Sequence, residues 1–195
     1  LFFSNLPKAF DGLRVVQISD MHLGSLRGQE DTFSAAVDLI NEQNPDIVLF
    51  TGDMVNNVAE ETEGWEPIFR KLKSTYGSFS VLGNHDYGEY VPWKTEADKQ
   101  ANLQKLITQH GEMGFKILLN EAVKIEKDGE HIALIGIENW GLPPFPQYGD
   151  LKKAAATVED SPFKLLMSHD PSHWDAEVLN KTNIDITFAG HTHGM

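Results

Sequence analysis

The sequence predicts an α/β fold, and three features of its apolar pattern carry that prediction. Runs such as Leu13 to Ser19 and Asp46 to Thr51 are nearly continuous in apolar residues, as strands covered on both faces must be. They alternate with segments whose apolar residues recur at helical spacing, the pattern of crossover units. Later in the chain the Asp-Gly loop of Lys127 to Glu130 adds a hairpin, and with it a second, more antiparallel sheet.

Taken in order, Leu13 to Ser19 reads as a buried strand and Thr32 to Gln43 as a helix. Asp46 to Thr51 is β-rich, Trp65 to Leu72 is helical, and Ser78 to Leu82 is a strand before a long helix over Thr95 to His110. Ala122 to Glu126 and His131 to Ile137 form the hairpin, and the proline-rich loop Gly141 to Asp150 leads into a short helix over Leu151 to Thr157. The last third gives a strand over Phe163 to Ser168, a helix over His173 to Leu179 and a strand over Asp185 to Ala189.

At 195 residues and 41% apolar content the chain fits one domain, residues 1–195, with one sizeable core. No apolar run is long enough to cross a bilayer. The absence of cysteine excludes disulfides, thiolate metal sites and a cysteine nucleophile, and leaves the compartment open. A formal charge of -13 argues against a broad grip on nucleic acid, which rests on clustered Lys and Arg; bound cations would cancel part of it. The chain starts at Leu1 with the apolar Leu-Phe-Phe-Ser-Asn-Leu-Pro and stops at Met195, so the expectation is a domain excised from a longer protein.

Function shows in the position of the polar residues. Metal-ligand types follow directly on five of the apolar runs: Asp20 and His22, then Asp53, then Asn84, His85 and Asp86, then His169, then His191 and His193. Ligands of open α/β sheets bind outside the carboxyl ends of strands, so the five loops are expected to converge. Each motif alone has a bland reading, a turn, a cap or a satisfied loop residue; the five together read as a metal site. Carboxylate, imidazole and amide oxygen without sulfur suit Mn, Fe, Zn or Co, and the imidazoles argue against an all-oxygen Ca or Mg cage. Asp20, His22, Asp53, Asn84, His169, His191 and His193 are too many for one catalytic ion, and suit two ions about 3.5–4 Å apart sharing a carboxylate, a pattern used for phosphate-ester hydrolysis. Of the other histidines, His110 and His131 read as surface residues, and His173 as a pocket lining or a helix start.

The order Asp-x-His, Gly-Asp, Gly-Asn-His-Asp, His, Gly-His-Thr-His resembles the calcineurin-like metallophosphoesterases over nearly the whole chain, from Leu13 to Gly194. Within them, the segments around Asp20 and His191 resemble the bacterial branch whose catalytic domain often follows an N-terminal membrane segment. The resemblance implies a four-layer α/β/β/α sandwich of two mixed sheets flanked by helices. It implies two divalent transition metals (Mn, Fe or Zn), one on Asp20, His22, Asp53 and His193 and the other on Asp53, Asn84, His169 and His191, with Asp53 as the bridge. A metal-bridging hydroxide would attack a phosphate mono- or diester directly and in line, with His85 as catalytic histidine; Asp86 either orients it or raises its pKa, or is a carboxylate that caps the loop. Where many relatives end the strand at Ile137 with an acidic residue facing the site, Glu138, Asn139 and Trp140 follow here; Trp140 is either a candidate substrate wall or packed under a loop, and His173, close after His169, is a separate candidate for the substrate pocket.

The partners so implied are a small phosphoester or a lipid-linked phosphate, and the implied location is membrane-associated through a removed N-terminal segment, with the cytoplasm as the alternative. Relatives carry further strands after the Gly-His-x-His motif, so the sheet that ends at Ala189 is expected to have an exposed edge. The competing class is a metal-poor, inactive interaction scaffold of the same fold, for which His85 would be superfluous.

Overall fold

The computed structural model describes residues 1–194 and contains two four-stranded sheets. The first runs β1 (Val15–Ile18), β2 (Ile47–Phe50), β3 (Ser78–Ser80), β4 (Phe115–Ile117), every neighbour parallel. The second runs β5 (Glu121–Lys127), β6 (Glu130–Gly136), β7 (Lys164–Met167), β8 (Ile186–Phe188), antiparallel at the hairpin and parallel after it. Only the second sheet is therefore mixed. The first is parallel throughout because helical segments separate its strands: α1 (Glu30–Glu42), then α2 (Glu66–Phe69), then α3 (Glu96–Glu112).

Alternation along the strands builds four layers. Ile47 and Leu49 of β2 face Ile132 and Leu134 of β6 and Leu165 and Met167 of β7 in a core between the sheets. Their neighbours Val48 and Phe50 point the other way, into a core with Trp65, Phe69 and Leu106 from the helical layer. Ala133, Ile135 and Leu166 do the same on the far side, against Ala154 of α4 (Leu151–Ala155) and Val178. Period-two side chains on strands buried on both faces make a helix–sheet–sheet–helix sandwich.

Three local expectations change. Phe115–Ile117 is a strand that the sequence pattern does not announce, because it is three residues long with exposed Lys116 at its centre. The helix expected over His173 to Leu179 is a single π-helical turn, Trp174–Val178. His110 is not a surface residue: it lies one helical turn after Leu106 on the buried face of α3, its Nδ1 2.9 Å from Ser80 Oγ. Burial lowers its pKa to about 4 and keeps the ring neutral. His131 is half-exposed at the hairpin, and β8 is the edge of its sheet. No described helix is long and apolar enough to cross a membrane.

Candidate metal centre

β1, β2 and β3 are parallel, so the loops carrying Asp20, Asp53 and Asn84 leave the first sheet at one end. β7 and β8 are likewise parallel and deliver His169 and His191 together. Gln17 Nε2 donates to Ala189 O at 2.7 Å and to Thr51 Oγ1 at 2.8 Å, tying the two ends to each other. Three overlapping groups of ligand atoms result, each within 4.8 Å: Asp20, His22 and His193; His22, Asp53 and His85; Asp53, His169 and His191.

Asp53 is the residue common to both halves. Its Oδ2 lies 3.7 Å from His22 Nε2 and 3.1 Å from His169 Nε2. On the first side, His22 Nε2 and His193 Nε2 are 3.2 Å apart and His193 Nε2 is 3.5 Å from Asp20 Oδ1. On the second, His191 Nδ1 is 3.0 Å from Asn84 Oδ1. The His169 and Asp53 side chains are 0% and 2% exposed and that of His193 is 51%, so the centre opens to solvent on the His193 side.

The donor atoms are held from behind. His169 Nδ1 donates to Thr51 O at 2.8 Å, which turns the buried Nε2 toward Asp53 Oδ2, 3.1 Å away. Asn84 Nδ2 donates to Tyr90 Oη at 2.8 Å, which turns Oδ1 toward His191. Such outer partners fix the orientation of metal-binding side chains. Backbone strain marks the same positions: Asp20, His22, Asp53, His191 and His193 all have positive φ, between 46° and 70°, a cost that surrounding structure must impose. Gly83 and Gly190 leave the room required, since a Cβ on either would collide with Asp53 Oδ1 or with Ser19 and Asp20.

The electrostatics favour a cation. Burial works against the Asp53 carboxylate, yet the hydrogen bond and charge of His169 hold its pKa below the ordinary range. Burial likewise opposes charge on His169, and Asp53 nevertheless raises its pKa to about 9. The His22 pKa is lowered, chiefly by burial, with His85 and His193 adding to the effect against Asp53. Asp53 is thus held ionised within a cluster of nitrogen and oxygen donors whose chemistry suits a divalent transition metal.

His85 sits at the edge of the cluster, its Nδ1 2.8 Å from Asn56 O and its ring centroid 4.8 Å from that of His22. A carbonyl only accepts, so Nδ1 carries the proton and Nε2 remains for a ligand. Among the described residues Asp86 makes no hydrogen bond to this ring, and of the two roles expected of it the loop-capping one fits its contacts. It is fully buried, and its oxygens accept four backbone N–H groups: Asp53 and Gly83 on Oδ2, both 2.9 Å, and Met54 and Val55 on Oδ1, 2.8 and 3.2 Å. Burial and the Asp53 charge push its pKa up to about 7, against the pull of those N–H groups. Four donors and no acceptor around it fit a carboxylate that shapes the loop.

Trp140 and His173 come together, with ring centroids 5.1 Å apart, but in a cleft of about 460 Å³ whose lining includes none of the seven ligand candidates. Trp140 packs on the outer core of the second sheet instead. Aromatic walls at the centre come from residues that the motif order did not flag: Tyr90, 4.6 Å from the His85 ring, and Phe145, 4.8 Å from that of His191. Asp170, next to His169, was also missed; its Oδ2 lies 3.8 Å from His191 Nε2.

The sequence pattern of the calcineurin-like phosphoesterase family matches residues 13–195. The chain is 31% identical to the uncharacterized metallophosphoesterase YkuE of Bacillus subtilis over 98% of its own length and 62% of that protein's. It is 29% identical to the UDP-2,3-diacylglucosamine pyrophosphatase LpxG of Chlamydia trachomatis over 97% of this chain and 67% of that one. Among solved structures, the NAD nucleotidase of Haemophilus influenzae superposes with a TM-score of 0.60 at 18% identity, over 93% of this chain and 38% of that one. The chain thus spans less than two thirds of the YkuE relative.

Proposed function

Because this chain belongs to the calcineurin-like phosphoesterase family, we propose that it hydrolyses a phosphate ester at a centre of two divalent cations. The observation that carries this reading is Asp53 Oδ2, placed between His22 Nε2 at 3.7 Å and His169 Nε2 at 3.1 Å. Asp20, His22, Asp53 and His193 would hold one ion; Asp53, Asn84, His169 and His191 the other. The buried Nε2 of His169, aimed at Asp53 Oδ2, fits that assignment, and the nitrogen and oxygen donors suit Mn, Fe or Zn. Bound there, two such ions supply the Lewis acidity that neutralises phosphoryl oxygens and makes water a nucleophile near neutral pH.

The chain's own residues then do the following. His85, with its Nδ1 proton fixed on Asn56 O, presents Nε2 to the leaving oxygen and, as an imidazolium, gives it the proton. The Tyr90 ring covers His85 on one side and limits water there. Tyr90 and Leu142 are large apolar side chains left 51% and 53% exposed, and Phe145 lies in the same loop as Leu142. This rim supports a substrate whose phosphate carries an apolar group, such as a lipid-linked phosphate, and the diacylglucosamine in the name of the Chlamydia relative is in keeping with it. Association with a membrane is part of the same reading.

The test is a hydrolysis screen with Mn supplied, across a nitrophenyl monoester, a nitrophenyl diester and a phosphorylated lipid in mixed micelles, alongside elemental analysis. Turnover with close to two metals per chain is expected. Full metal loading without turnover of any of the three would remove the reading.

A further inference from the structure

We propose that Glu61 is the positioning residue for His85, acting through the Asn56 carbonyl; the inference rests on the catalytic reading of His85 given above. Glu61 is buried, and its carboxylate is spent entirely on backbone N–H groups. Oε2 accepts from Gly24 at 3.1 Å and Asn56 at 2.6 Å, and Oε1 from Asn57 and Val58, both at 3.0 Å. Capping the short helical turn Ala59–Thr62 accounts for the bond to Val58 alone. The other three gather two loops of the centre: Gly24 follows His22, and Asn56 follows Asp53.

The consequence falls on Asn56. The Asn56 carbonyl shares its peptide plane with the Asn57 N–H, which Glu61 Oε1 holds at 3.0 Å, and Glu61 Oε2 holds the Asn56 N–H of the preceding plane at 2.6 Å; with both planes fixed by one carboxylate, the carbonyl meets His85 Nδ1 at 2.8 Å. Bonds to an ionised acceptor are about twice as strong as neutral ones, so Glu61 sets where that carbonyl points. It thereby sets which His85 nitrogen carries the proton and where Nε2 lies. Gly24 belongs to the device, because a Cβ there would collide with Glu61 Oε2 and meet Asn56 Nδ2 at 2.7 Å.

Glu61→Gln keeps the shape but turns an amide NH₂ toward two backbone donors. It should lower kcat by roughly 10- to 100-fold, the scale of a 1 Å misplacement, with KM and metal content little changed. Gly24→Ala, which displaces the carboxylate without removing it, should do the same and serves if Glu61→Gln does not fold. Each loss should vanish in a His85→Ala background, since a residue acting through His85 has nothing left to position. Equal losses in both backgrounds, or unaltered kcat in the single variants, would overturn the proposal.

A second readout is independent of turnover. The ¹⁵N spectrum of the zinc-loaded protein should show His85 with its proton on Nδ1, and the two variants should show a tautomer mixture; an unchanged tautomer counts against Glu61. Absent hydrolysis by the wild type, with the tautomer shift observed, would instead sink the catalytic reading and leave the positioning intact.

Discussion

Asp86 reaches Asp53 through the backbone: its Oδ2 accepts the Asp53 N–H at 2.9 Å, while Asp53 Oδ1 accepts the His85 N–H at the same distance. The two carboxylates interlock the loops after β2 and β3, and only Asp53 has an oxygen left for the centre.

Asp86→Asn therefore puts an NH₂ against buried N–H donors. Urea unfolding should show a loss of roughly 2–4 kcal/mol, in the range for breaking a buried charged network, with weaker metal binding by calorimetry. Wild-type stability combined with a displaced pH–rate profile would restore Asp86 to a direct part in proton transfer.

Asp53→Asn should empty both halves of the centre at once, because one Oδ2 faces His22 and His169. Elemental analysis is expected to fall well below one metal per chain and turnover to be nearly abolished. Retention of one tightly held metal would replace the bridge with a ligand of a single ion.

His85→Ala leaves the seven ligand candidates in place. Metal content should stay at the wild-type level while kcat falls by roughly 10²- to 10⁴-fold, as for a lost acid or electrostatic donor. Loss of metal in this variant would make His85 a ligand, as its grouping with His22 and Asp53 allows.

Tyr90→Phe removes the hydroxyl that holds the Asn84 amide. Affinity for the more weakly bound metal should drop by about 10- to 100-fold, as for other outer partners of metal ligands. Titration with Mn, read by recovered activity, measures it; an identical titration curve would mean that the amide needs no such support.

His110 makes stability pH-dependent. Its folded pKa, lowered by burial to about 4, lies below an unfolded value of about 6.5. Its neutral form supports the fold fully above pH 6.5, and that support is lost as pH falls toward 4. The loss is roughly 2 kcal/mol near pH 5. Urea midpoints of the wild type should fall between pH 7 and pH 5 by more than those of His110→Leu; parallel declines would assign the effect to other groups, His173 among them.

How much of this was legible in the chain depended on how local the signal is. β2 and β7 could be read because strands buried on both faces are apolar at every position. β4 could not, with one exposed lysine among three residues. His110 misled because a polar residue near a helix end defaults to the outside, although its spacing from Leu106 held the correction. Tyr90, Phe145 and Glu61 lie outside any strand-end motif, and Asp170 beside His169 drew no notice; they matter through contacts between distant segments, such as Glu61 to Gly24 and Phe145 to His191, which no local pattern encodes.

By itself the sequence determined the α/β class, the five loops and the donor types, because strand periodicity and the residue at a strand's end are local properties; the four-layer sandwich came from the family resemblance. The tertiary structure alone decided that Asp53 faces both halves, that Asp86 is spent on backbone N–H groups, and that Tyr90 and Phe145 rather than Trp140 flank the donors. Those are matters of which side-chain atom points where, fixed by packing and hydrogen bonds between segments brought together by the folding of two sheets onto one core.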